Sequence, residues 1–147
     1  MSKPHRIAWD KRAGVAANAR RELPRCAAAY FAGVREMLAG DPLPPVLHRV
    51  RLDTKRLRYT LELFRPCYGP GFETRLGALR GIQQLLGEVS DAVSAIRMLP
   101  RTSRARAIIE RRAEAKALEF RKRWTEVFDA PGQERLWIRY LSRPVKR

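Results

Sequence analysis

The chain has 147 residues, enough for one domain to bury a core without disulfides or metals, and its 31 Lys and Arg against 15 Asp and Glu give a formal net charge of +16. So uneven a balance excludes a neutral housekeeping domain and selects anionic partners: nucleic acid, an acidic membrane surface or polyphosphate. Most of the cations are arginine, whose fork binds phosphate bidentately, but GC-rich coding gives the same bias, so composition does not choose among the three.

Residues 1–12 are basic and weakly patterned; they read as a tail that orders only on contact and belongs to no core, leaving 13–147 as the helical unit. The start lacks a hydrophobic signal core, and the longest apolar run, Cys26 to Val34, is too short to span a bilayer. A cytoplasmic location and no membrane partner are therefore expected. Cys26 and Cys67 stand apart, without CxxC or Cys/His spacing, and read as reduced structural thiols; no metal or cofactor is expected.

A first helix is predicted from near Ala13 to Ala39, carrying Leu23, Ala27, Tyr30, Phe31, Val34 and Leu38 at three- and four-residue spacings, with Pro24 as a kink or a restart. Gly40-Asp41-Pro42 stops it. Pro44-Pro45 opens a second helix, which Pro66 and Gly69-Pro70-Gly71 close after Arg65.

On that second helix, at 100° per residue, His48, Arg51, Lys55, Arg58 and Glu62 fall within about 80° of one another. Val46, Val50, Leu57, Leu61 and Phe64 take the opposite side, and Leu52, Tyr59 and Leu63 form a second apolar strip just beyond the row. An ordinary surface helix shows one apolar stripe backed by one polar face. Arginine stems lying along apolar surface would give a solvated version of this pattern. Against that version, three cations and an imidazole come before the only acid of the row, and like charges at this spacing repel unless an anion joins them. From His48 to Arg58 the row spans roughly 15 Å, which suits several phosphates in line better than one small anion. Taken alone His48 would cap or pack; at the head of this row it reads as a phosphate contact.

A third helix covers about Phe72 to Leu99, with Leu76, Leu79, Ile82, Leu85, Leu86, Val89, Val93 and Ile96 on its buried side. Arg80, Gln84, Gly87 and Asp91 share another of its stripes. A glycine in a helix interior costs about 1 kcal/mol relative to alanine, so Gly87 reflects either close packing of a neighbouring helix or room for a ligand at the backbone. Arg80 and Gln84 are donors beside it, and Asp91 reads as a group that orients or neutralises a cation. After Pro100 a fourth, densely charged helix runs from about Ser103 to Phe128, with Ile108, Ile109, Leu118, Phe120, Trp124 and Phe128 as its apolar positions. Pro131-Gly132 breaks it, and 133–141 forms a short terminal helix. With no period-2 alternation anywhere, the fold class is all-α: a four-helix bundle with a short C-terminal helix.

No GxSxG elbow, Cys/His pair or Walker A loop is present, so the chain is not expected to be an enzyme. Residues 48–51, His-Arg-Val-Arg, followed by Lys55-Arg56-Leu57-Arg58-Tyr59, Leu61-Glu62 and Phe64, then Leu79, Ile82-Gln83 and Leu86-Gly87 through Asp91, closely resemble the CHAD domain, the conserved histidine α-helical domain. The resemblance runs from roughly Arg20 to Leu99. It implies a helical bundle whose basic residues line a cleft and bind inorganic polyphosphate, with His48, Arg51, Lys55, Arg56, Arg58 and Arg80 as phosphate ligands and Gln84 beside them. By angle Arg56 lies well away from the row.

That family usually has two four-helix halves with the cleft between them, whereas this chain carries one HxxRxxxKRLRY motif, similar to the second half. Either a single bundle presents an open basic face or two chains pair to rebuild the cleft, and a symmetric homodimer is the expected form. The ExExK signature of the triphosphate tunnel domain often fused to the family does not occur. The expectation is a non-catalytic polyphosphate binder, tethered through that ligand to polyphosphate granules. The alternative is a nucleic-acid module that uses Arg104, Arg111, Arg112, Lys116, Arg121 and Arg123 of the fourth helix, although Tyr30, Phe31, Tyr59, Phe64, Trp124 and Phe128 sit mostly at core positions and not as base platforms.

Overall fold

A computed structural model describes residues 3–40 and 44–145. Helix α1 spans Val15–Leu38, α2 Pro44–Leu63, α3 Phe72–Arg97, α4 Arg104–Arg123 and α5 Gln133–Leu141. A 3₁₀ turn, Arg65–Cys67, follows α2, and a π-turn, Trp124–Phe128, continues α4. Among the described residues there is no strand, and no helix is long and apolar enough to cross a membrane. The expected stop at Gly40-Asp41-Pro42 lies partly outside them.

The stops follow from backbone chemistry. Gly71 and Gly132 precede α3 and α5 with φ of 91° and 87°, a left-handed conformation that favours glycine. Pro24 does not restart α1, which continues through it. Leu23, Ala27, Tyr30, Phe31, Val34 and Leu38 are all buried, so the stripe expected on α1 is the one that faces the core.

Helix α3 is central and packs most extensively against α4 and α2, while α1 packs against α5 and α2. Aromatic rings close the end of the bundle where α1, the π-turn and α5 meet. Phe128 stacks on Trp124 at 4.9 Å between centroids and lies 5.3 Å from Phe31 and 5.4 Å from Trp137. Between α1 and α2, the Thr54 hydroxyl donates to the Val50 carbonyl at 2.7 Å. Its oxygen is therefore the acceptor for the Tyr30 hydroxyl at 2.8 Å, a bond fully inside the core.

Two expectations need correction. On α4, Ile108 and Leu118 are 64% and 68% exposed, because this edge helix packs chiefly against α3 and buries little beyond Phe120. Residues 3–12 also depart from the reading as a tail outside the core. Ile7 packs against the core, Trp9 lies 6.3 Å from Phe64, and Asn18, buried on α1, accepts from the Asp10 amide at 2.8 Å and donates to the Asp10 carbonyl at 3.0 Å. Glu22, fully buried on α1, is bonded by the His5 ring and by Arg21 at 3.2 Å. Buried polar groups need partners, and this segment supplies them. The pairing with His5 holds the Glu22 carboxyl below its usual range, against the opposing effect of burial, with Arg21 assisting.

Candidate functional site

Leu47, Val50, Thr54, Leu57 and Leu61 turn one side of α2 into the core, which fixes where its other stripes point. His48 is exposed at the head of the row, and Arg51, Lys55 and Arg58 are half-buried behind it. At the far end, Arg58 donates to a Glu62 carboxylate oxygen at 3.3 Å, and Arg80 of α3 approaches the same oxygen at 3.7 Å. One acid thus ties the row to α3. The Arg58 guanidinium also lies 4.6 Å from the centroid of the Tyr59 ring.

Two adjoining hollows between α2 and α3 form a groove, and both are lined by Arg51 and Asp91. Arg80, Gln83, Gln84 and Gly87 bound the first, and His48, Ser90, Ser94 and Arg97 the second. The structure therefore brings His48, Arg51, Arg80 and Gln84 to one groove. Lys55 and Arg58 border neither hollow, although Arg58 reaches Arg80 through Glu62. Arg56 stands apart, beside a different depression with Lys3, Arg6 and Arg49.

Gln83, Ser90, Ser94 and Arg97 extend the site beyond the residues the sequence singles out. The signal was readable: Gln83, Ser90 and Arg97 recur every seven residues, and Ser94 continues the Gly87 and Asp91 stripe. Gly87 borders the first hollow and does not reflect close approach of a neighbouring helix backbone. A side-chain carbon there would lie 3.7 Å from Arg51 Nε and 3.8 Å from an Arg51 Nη, so the glycine faces an arginine side chain and not the backbone of a neighbouring helix.

The Nε atoms of Arg51 and Arg58 are buried without a hydrogen-bond partner among the described residues, and His48, Arg51 and Lys55 are in no ion pair there. Glu88, at the groove edge, is 3.0 Å from Lys116 of α4, whose ammonium is held charged by Glu88 and then Glu119. What is left is a line of donors facing few acids, suited to an extended oxyanion.

On α4, Lys116 is held by those acids and Arg121 donates to the Leu38 carbonyl at 2.7 Å, while Arg104, Arg111, Arg112 and Arg123 are exposed. Tyr30, Phe31, Phe64, Trp124 and Phe128 are buried; Tyr59 and Trp9 are about half exposed, at 51% and 50%.

A family model described as the CHAD domain matches residues 3–100. Its span takes in the N-terminal segment and helices α1 to α3, hence the whole groove. No curated protein and no solved structure matches the chain.

Proposed function

The chain belongs to the CHAD-domain family, and from that premise we propose that it binds inorganic polyphosphate in the α2–α3 groove without performing chemistry on it. The observation that carries the reading is the buried guanidinium Nε of Arg51, which lines both hollows of the groove and lacks an acceptor among the described residues. A buried donor left unmade costs about 1–3 kcal/mol, and phosphate oxygens would complete it. His48 and Arg51 contact one stretch of phosphates, Arg80 and Gln84 the next, and Arg97 extends the line. Lys55 and Arg58 supply charge from the adjoining row. Retention on immobilised long-chain polyphosphate tests this: Arg51→Ala with Arg58→Ala abolishes it while the helical circular dichroism persists.

The bound form is a symmetric homodimer in this proposal. Leu52, Tyr59 and Leu63 are 47%, 51% and 78% exposed beside the row, an apolar strip that a second copy would cover, bringing two basic rows to face a shared anion. Binding of this kind would tether the chain to polyphosphate granules in the cytoplasm. The exposed Arg104, Arg111, Arg112 and Arg123 of α4 favour a second reading, nucleic-acid binding, and charge-matched duplex DNA and RNA are the competitors that separate the two.

A further inference from the structure

On another side of α2, a cavity of about 280 Å³ lies between that helix, α1 and the N-terminal segment. Cys26, Ala29 and Gly33 of α1 line it together with Leu57 and Thr60 of α2, and Ile7 lines it from the N-terminal segment. Gly33 is not there to let another element approach: a side-chain carbon at that position would meet nothing within 4 Å. An alanine would favour the helix by about 1 kcal/mol, so what the glycine adds at this position is space. Asp53 and Arg56 also line the cavity, and burial is the main cause that holds the Asp53 carboxyl above its usual range.

The cavity shares Pro4, His5 and Arg56 with a basic depression completed by Lys3, Arg6 and Arg49. Among the described residues none of Lys3, Arg6, Arg49 or Arg56 is in an ion pair. Arg49 and Arg56 are seven residues apart on α2, about 10 Å along the helix, which spans a short run of phosphates.

A bare inorganic anion would use this mouth and leave the apolar interior empty. An alkyl chain would fill the interior but strip water from Asp53 and Thr60 without replacing the lost hydrogen bonds. A heteroaromatic ring satisfies both, with flat apolar faces for Leu57, Ala29 and Gly33 and edge donors for the Asp53 carboxylate. The volume, near the lower limit for small-molecule sites, admits one ring system. We propose that this cavity binds a nucleoside polyphosphate, the base held between α1 and α2 and the phosphates by Lys3, Arg6, Arg49 and Arg56. The site is separate from the α2–α3 groove and gives Arg56 a role that the groove does not.

Calorimetric titration of the full chain with ATP, GTP and inorganic triphosphate tests the proposal, with polyphosphate retention measured on the same preparations. At least one of the two nucleotides should bind about tenfold tighter than triphosphate. Gly33→Leu should remove that advantage, and Arg49→Ala with Arg56→Ala should weaken nucleotide and triphosphate alike, with polyphosphate retention and circular dichroism kept. Triphosphate binding as tightly as both nucleotides would overturn the proposal, and that comparison needs only the unmodified chain. So would a nucleotide advantage that survives Gly33→Leu but disappears in Arg51→Ala with Arg58→Ala, since it would belong to the groove. Failure of polyphosphate retention alone would count against the groove reading and leave this one standing.

Discussion

The Arg51 guanidinium of α2 lies across Gly87 of α3, its Nε 3.7 Å from the point where a side-chain carbon on that glycine would sit. The separation is ordinary van der Waals contact, so an alanine fits. Gly87→Ala should leave polyphosphate retention unchanged and raise stability by up to about 1 kcal/mol in denaturant unfolding. Gly87→Leu, whose branch would displace Arg51, should weaken retention while the fold survives. A destabilising Gly87→Ala would show that the backbone is held closer than this geometry allows.

Glu62 neutralises two cations at once, with Arg58 at 3.3 Å and Arg80 at 3.7 Å. Glu62→Gln keeps the shape and removes the charge. It should tighten polyphosphate binding about two- to fivefold at low salt, matching the modest worth of a partly exposed pair, and the gain should shrink as salt rises. Weaker binding in the variant would mean that Glu62 positions Arg58 more than it opposes the ligand.

Arg56 provides the internal control for net charge. It sits with Lys3, Arg6 and Arg49, away from the groove, so Arg56→Ala should lower affinity for long polyphosphate by less than about twofold where Arg51→Ala lowers it about tenfold or more. Equal losses in filter binding at one salt concentration would reduce the site to a general positive field.

The N-terminal segment should contribute to stability in a pH-dependent way. The folded-state pKa of Glu22 is depressed, chiefly by His5, so its contribution is present above the ordinary carboxyl value of 4.5 and is lost as pH falls through the lowered value. His5→Ala should therefore destabilise the chain by about 1–3 kcal/mol at pH 7, with Arg21 still in place, and the difference from wild type should close toward pH 3. Denaturant midpoints at the two pH values measure this; a difference that persists in acid would assign the effect to packing of the segment.

Much of this organisation was legible in the residues. Proline and glycine mark helix ends because they act on the local backbone, and α5 runs over Gln133–Leu141 as the Pro131-Gly132 break and the periodic residues after it require. The same angular arithmetic that aligned His48, Arg51, Lys55 and Arg58 also separated Arg56 from them. What escaped was set by partners distant in sequence. Asp10 and His5 are held by Asn18 and Glu22, polar residues whose burial no periodic pattern announces, so the segment read as a tail. Ile108 and Leu118 looked like core positions, but how much of α4 is covered depends on its place at the edge of the bundle. Arg97 lies on a different stripe of α3 from Arg80, Gln84, Gly87 and Asp91, and the groove is lined from both.

In the proposed function a defined set of side chains, and not the overall charge of +16, selects polyphosphate. The most direct test is a salt titration of binding to long-chain polyphosphate and to charge-matched duplex DNA and RNA, with wild type and the Arg51→Ala, Arg58→Ala double variant. Wild type should keep a preference for polyphosphate as salt rises, and the double variant should lose it with helicity intact. Equal binding to all three polymers, unchanged by the double substitution, would contradict the proposal.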